Sequence, residues 1–154
     1  MAVEIERKFL LANSNWRALI NNSTSIKQGY LNSNHERTTR VRIKGDKGFL
    51  TVKGKSNGTK RLEFEYEIPL DDANEMLQLC EKPIIEKIRY EIHINDDIWE
   101  IDEFDGDNKG LLVAEVELEN ENQEVTIPEW IGTEVSHENK YFNSSLIKNP
   151  FSRW

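Results

Sequence analysis

The first recognisable strand reads Glu4-Ile5-Glu6-Arg7-Lys8-Phe9, and its alternate residues are two carboxylates and a lysine. Side chains two apart on a strand point to one face, so Glu4, Glu6 and Lys8 share a face while Ile5 and Phe9 point the other way. The pattern returns as Arg40/Arg42, Lys53/Lys55, Glu63/Glu65/Glu67, Lys87/Arg89, Glu100/Asp102 and Glu115/Glu117/Glu119. Within each strand the neighbouring charges mostly carry one sign. A face that merely meets water has no reason to segregate signs. Like charges two apart stand roughly 7 Å from each other and repel, whereas mixed signs help pairing and solubility. Sorting acids and bases into separate strands creates repulsion that bound ions relieve. The set as a whole points to multivalent cations and a multivalent anion held together.

The opposite faces bear on architecture. Ile5, Phe9, Val41, Ile43, Leu62, Phe64, Tyr66, Ile88, Tyr90, Ile92, Trp99, Ile101, Val116 and Leu118 all lie across the strand from ionic positions. An open sheet with one wet face and helices on the other satisfies this pattern. So does a closed sheet with an ionic lumen and its apolar faces packed outward on helices. About eight or nine strands suffice to close a barrel around a small ligand, and closure removes sheet edges. Ionic pairs on nearly every strand favour the lumen.

Turn and cap signals give the order of elements. A strand over 3–10 precedes a helix over 14–21, capped by Asn13 or Ser14 and striped by Trp16, Leu19 and Ile20. Strands follow over 26–31, 37–44, 48–54 and 61–68. Gly45 and Gly48 flank a hairpin turn at Asp46-Lys47, and Ser56-Asn57-Gly58-Thr59 marks the next turn. Pro69 ends the fifth strand, and Asp71 or Asp72 caps a helix to about 81 whose apolar side is Ala73, Met76, Leu77 and Cys80. Strands over 84–94, 98–104 and 111–119, a short helical turn over 128–132 and a last helix over 139–147 complete a mainly β (α+β) chain.

At 154 residues, 37% hydrophobic and 31% charged, the chain has the size and composition of one compact domain, 1–154, rather than of a disordered segment. The net charge of −8 argues against nucleic acid as a partner, since phosphate backbones ask for a basic surface. Cys80 is the only cysteine, so no intrachain disulfide is possible. With no signal-peptide core and no membrane-length apolar run, the expected location is a reducing cytoplasm, away from membranes. A homodimer is compatible with all of this.

Taken in order, these motifs resemble the CYTH superfamily, the triphosphate tunnel metalloenzymes. The resemblance runs from Glu4-x-Glu6-x-Lys8 through Gln28-Gly29-Tyr30-Leu31, Thr39-Arg40-Val41-Arg42-Ile43-Lys44 and Leu50-Thr51-Val52-Lys53. It continues through Glu63-Phe64-Glu65, Lys87-Ile88-Arg89-Tyr90 and Trp99-Glu100-Ile101-Asp102-Glu103-Phe104 to Gly110-Leu111 and Ala114-Glu115-Val116-Glu117-Leu118. An isolated ExExK is a weak signal; the ordered set spans nearly the whole chain. It implies an eight-stranded antiparallel closed tunnel and divalent-metal-dependent hydrolysis of a small triphosphate, inorganic tripolyphosphate above all. Adenylate cyclase, thiamine or nucleotide triphosphatase, and a non-enzymatic binder of polyphosphate or nucleotide are the alternatives.

Residue by residue, the resemblance implies Mg2+ or Mn2+ on Glu4, Glu6, Glu115 and Glu117. Glu63, Glu65 and Asp102 serve a second metal or balance the bases. Lys8, Arg40, Arg42, Lys53, Lys87 and Arg89 take the phosphates, and Lys8, Tyr30 and Glu117 assist the chemistry. Lys55 follows Gly54, where a bulge can change its face. His35, His93 and His137 lack metal-ligand spacing and read as surface or local structure, Cys80, Trp16 and Trp130 as core, and Glu67 and Glu119 as solvated rim.

Overall fold

The computed structural model describes residues 2–154. Its strands are β1 (Val3–Leu11), β2 (Asn22–Asn32), β3 (Arg37–Lys44), β4 (Lys47–Gly54), β5 (Lys60–Ile68), β6 (Glu81–Ile94), β7 (Asp97–Phe104), β8 (Leu112–Glu117) and β9 (Ile131–Glu134), with one α-helix, α1 (Leu70–Leu79). The sheet order β5-β4-β3-β2-β6-β7-β8-β1 closes on itself through β1 and β5, where Val3, Glu4 and Ile5 pair with Leu62, Arg61 and Lys60. Eight antiparallel strands therefore form a barrel. The short β9 adds to the far end of β1, Leu11 facing Ile131.

The alternation of the sequence becomes the inside and outside of this barrel. Outward-facing Phe9, Ile92, Trp99, Ile101, Val116 and Leu118 pack with Trp16 and Trp130 in one core. Helix α1 crosses the outside of β2–β4 in another, with Ala73, Leu77 and Cys80 on Val41. Close approach there explains two glycines: a Cβ at Gly48 would stand 2.7 Å from the Ala73 Cβ, and one at Gly29 2.7 Å from the Cys80 Cβ. Gly48 therefore serves packing rather than the hairpin turn, which Gly45 makes at φ +62.

A third core closes one end of the lumen. Tyr30, Ile85, Phe104 and Val113 lie two residues beyond the inward-facing Gln28, Lys87, Asp102 and Glu115, on the same faces. There the lining turns from ionic to apolar, and Tyr141, Leu146 and Ile147 pack onto it.

Several elements differ from expectation. The segment expected as a helix over 14–21 is a short 3-10 helix, Asn15–Leu19; Ser14 stands at its N-cap position without a side-chain cap bond, and Asn13 Oδ1 makes a local turn by accepting the Asn15 N–H at 2.9 Å. Neither Asp71 nor Asp72 caps α1; both sit in its first turn after Pro69. The expected helical turn over 128–132 gives way after Trp130 to β9, because Ile131 and Glu134 find backbone partners on β1. The expected last helix is broken into turns at Asn139–Tyr141 and Ser145–Ile147, with extended backbone at Phe142. The outer face of β5 carries no helix, since α1 stops short of it: Leu62 is 53% and Tyr66 63% exposed. Among the described residues, no helix is long and apolar enough to cross a membrane.

Candidate active site

The lumen holds a cavity of about 240 Å³, lined by side chains from all eight barrel strands; the fully buried Asp102, Gln28 and Thr51 are not among them. Glu4, Glu6, Lys8, Tyr30, Arg40, Arg42, Lys53, Glu63, Glu65, Lys87, Arg89, Glu115 and Glu117 all line it. The same strand faces also bring in Glu100, Lys44, Thr38 and Arg61, and the segment after β9 adds Ser136, Phe142, Asn143 and Ser144. Lys55 does not join them. Beyond Gly54 its ammonium turns outward to Glu36 at 3.8 Å. His35, His93 and His137 are exposed.

Cations and carboxylates interleave around the wall. Asp102, 1% exposed, accepts from Lys87 Nζ at 2.7 Å and from Arg89 Nε and Nη2 at 2.8 and 2.9 Å. Both its oxygens are thereby occupied. Lys8 Nζ stands 3.6 Å from Glu115, and Arg40 Nη2 3.4 Å from Glu65. Lys53 Nζ bonds both oxygens of Glu4, at 2.9 and 3.1 Å, and lies 3.3 Å from Glu63. Arg42 differs. Its Nε donates to the neutral Gln28 Oε1 at 2.9 Å, and it makes no ion pair among the described residues.

At the closed end Asn143 Oδ1 accepts from Lys87 Nζ at 2.8 Å and from Gln28 Nε2 at 3.0 Å. The Tyr141 carbonyl accepts from Lys8 Nζ at 3.3 Å. The break in the C-terminal segment at Phe142 lets Asn143 reach inward. Nothing in the sequence pattern marks Asn143, whereas Arg61 lies two residues before Glu63 on an already recognised face.

The charges are strained in consistent ways. Burial, then Glu115 and Glu4, raise the Glu6 carboxyl well above its ordinary range. Burial, then Glu4, Glu63 and Glu100, raise Glu117. Glu63 and Glu100 are raised chiefly by burial. Burial pushes against ionisation of Glu115 as well, but Lys8 and Arg89 prevail and lower it to about 2. Glu4 is likewise lowered, Lys53 outweighing burial. Burial, then Arg40 and Arg89, lower Arg42.

Among the described residues no three His, Cys, Asp or Glu side chains are preassembled around a metal position. The donor chemistry nevertheless fits a hard divalent cation: Glu4, Glu6, Glu115 and Glu117 offer carboxylate oxygens, with Glu115 and Glu4 near enough to raise the Glu6 carboxyl and Glu4 near enough to raise that of Glu117. Lys53 pairs with Glu4.

A pH dependence follows. Glu6, Glu63, Glu100 and Glu117 keep protons that the unfolded chain has already released above 4.5, so their contribution to stability is lost as pH rises through the raised values. Glu4, Glu115 and Asp102, held below their ordinary values, lose theirs as pH falls. In chelator the melting temperature is therefore expected to peak in the mildly acidic range and decline as pH rises from there toward 7, above which release of the Lys87 proton, its pKa lowered to about 7 by burial, works the other way. Millimolar Mg2+ is expected to flatten that decline, and an equally steep decline with Mg2+ would count against a metal on these carboxylates.

A CYTH domain sequence model matches residues 2–148. An inorganic triphosphatase of Acetivibrio thermocellus is 47% identical over 155 residues, covering 100% of this chain and 99% of that protein. Among solved structures, the inorganic triphosphatase NE1496 superposes with a TM-score of 0.66 at 30% identity, covering 96% of this chain and 95% of its own. A putative adenylyl cyclase from Hippeastrum with a dominant triphosphatase activity shares the fold, with a TM-score of 0.56 at 16% identity, covering 78% of this chain and 80% of its own.

Proposed function

This chain belongs to the CYTH domain family, and from that premise we propose that it hydrolyses inorganic tripolyphosphate to pyrophosphate and phosphate with Mg2+ or Mn2+. The carrying observation is the small closed lumen in which clustered carboxylates stand among buried lysines and arginines. Its volume of about 240 Å³ lies below the ~300–1,000 Å³ of sites that enclose drug-sized organic ligands, which favours a compact inorganic anion.

Glu4, Glu6, Glu115 and Glu117 would hold the metal, which when bound neutralises phosphate charge and lowers the pKa of a coordinated water. Lys8, Arg40, Arg42, Lys87 and Arg89 donate to phosphoryl oxygens, with Arg42 the least compensated of them before substrate arrives. Lys53 joins them by exchanging Glu4 for phosphate, freeing that carboxylate. Phosphoryl transfer depends on positioning and charge stabilisation along the line of attack. Water attacks a terminal phosphorus, its P–O bond forms as the bridging P–O bond breaks, and pyrophosphate leaves. Glu117 orients that water.

The Tyr30 hydroxyl accepts from Gln28 Nε2 at 3.4 Å, so its own O–H remains to donate to substrate. Asp102 acts as counter-ion to Lys87 and Arg89 rather than as a metal ligand, because three charged donors already engage its oxygens and it is not among the cavity-lining side chains. The free, buried Cys80 suits a reducing cytoplasm.

The test is phosphate release from tripolyphosphate, ATP, thiamine triphosphate and pyrophosphate with each metal, alongside a cyclic-AMP assay. Tripolyphosphate is expected to turn over fastest, and excess chelator to abolish turnover. Cyclic AMP from ATP without tripolyphosphate hydrolysis would replace this reading with a cyclase.

A further inference from the structure

Among the described residues, the lining bases Lys8, Arg40, Lys53, Lys87 and Arg89 each have a carboxylate within ion-pair distance. Arg61 has none, although it stands in the same wall. It faces Glu4 in the β1–β5 register, and its neighbours Lys53 and Glu63 pair with each other across β4 and β5. Two neutral oxygens fix its guanidinium: Nε donates to the Gly54 carbonyl at 3.1 Å, and Nη2 reaches Thr38 Oγ1 at 3.5 Å. Arg61 lines the cavity alongside Thr38, Lys53 and Glu63. A half-buried arginine held by neutral oxygens, with its neighbouring carboxylates Glu4 and Glu63 engaged by Lys53 and none within ion-pair distance of it, is an anion site prepared in advance.

Its place along the lumen says which part of the anion it takes. Thr38, which Arg61 touches, and Arg42 lie on the inner face of β3, four residues apart, which corresponds to about 13 Å along the strand. Arg40 lies between them. The two uncompensated guanidiniums therefore stand toward opposite ends of one row of donors. A single phosphate cannot meet both; a linear chain of phosphoryl groups, gripped by two long side chains, can. We infer that Arg61 binds the terminal phosphoryl group at the end remote from Arg42 and so selects a triphosphate over a diphosphate. This rests on the tunnel being a polyphosphate site.

Calorimetry with the non-hydrolysable diimidotriphosphate and imidodiphosphate, both with Mg2+, separates the possibilities. Arg61→Gln is expected to weaken the triphosphate analogue about ten- to a hundredfold, the range of a charge-assisted hydrogen bond, and to leave the diphosphate analogue within about twofold. Arg61→Lys keeps the charge without the fork, and an intermediate loss is expected. Unchanged triphosphate binding in Arg61→Gln, or equal losses for both analogues, overturns the assignment. If Arg61→Gln does not fold, Arg61→Lys that matches the parent on both analogues overturns it equally. A parent protein that binds neither analogue would instead overturn the polyphosphate reading itself.

Discussion

Replacing Asp102 with alanine is expected to destabilise the ligand-free protein by about 3–5 kcal/mol, the scale of removing one partner from a buried ion pair. Asp102 is 1% exposed and is the shared acceptor of Lys87 and Arg89, both themselves buried. Burial already works against the Lys87 proton, and with Arg89 and Arg42 nearby it prevails over Asp102, so the ammonium pKa is lowered to about 7. Without Asp102, Lys87 loses its nearest counter-charge and keeps only the Asn143 amide oxygen. Arg89 retains the more distant Glu100 and Glu115, at 3.4 and 3.8 Å. Urea denaturation measures the loss. A bound polyanion supplies replacement charge, so diimidotriphosphate at a hundred times its dissociation constant is expected to recover about 2.7 kcal/mol if the variant still binds it. A loss below about 1 kcal/mol would mean that these cations are neutralised elsewhere.

What the sequence made legible follows from which interactions are periodic. The inward set was readable because the pleat enforces period two and charge is conspicuous on it: Glu6, Arg42, Lys87 and Glu117, from four distant strands, do meet in one lumen. Arg61 obeys the same period, but its sign differs from that of Glu63 and Glu65 beside it, so it lacks the like-charge pairing that marks the other positions. The closed end was not legible. Ile85, Phe104 and Val113 share the ionic faces by the same period but look like ordinary core in sequence, and only the register shows that they gather at one end of the lumen. Asn143 was invisible for a different reason. It reaches Lys87 because the chain breaks at Phe142, and that break depends on tertiary contacts more than on local propensity. The bare face of β5 could not be foreseen either, because alternation shows that Leu62 and Tyr66 face outward but not whether a helix covers them.

Arg42→Met is expected to separate stability from binding. In the ligand-free protein Arg42 is buried, bonded at Nε to a neutral amide, and pressed by Arg40 and Arg89. Replacing such a charge with an apolar side chain of similar length removes a desolvation penalty and two repulsions. It also leaves Gln28 Oε1 without its donor, at a cost of about 1–3 kcal/mol if no other donor replaces it. Replacing a whole buried ion pair with apolar side chains is often neutral or stabilising by about 1–4 kcal/mol, and Arg42 has no ion-pair partner to be stranded by its loss, so the ligand-free variant is expected to be at least as stable as the parent. Binding should move the other way. Loss of the guanidinium leaves phosphate oxygens unpaired inside the barrel, which costs several kcal/mol and therefore on the order of a thousandfold in affinity for diimidotriphosphate. Glu117→Gln gives the complementary result, with turnover of tripolyphosphate falling more than affinity for the analogue. The diagnostic pair of measurements is a urea melt and a calorimetric titration on the same Arg42→Met sample. Tight binding would remove Arg42 from the phosphate site. Weak binding together with a clear loss of stability would make it a strut of the barrel wall. Only weak binding with undiminished stability marks a charge that the fold tolerates for the sake of its anion.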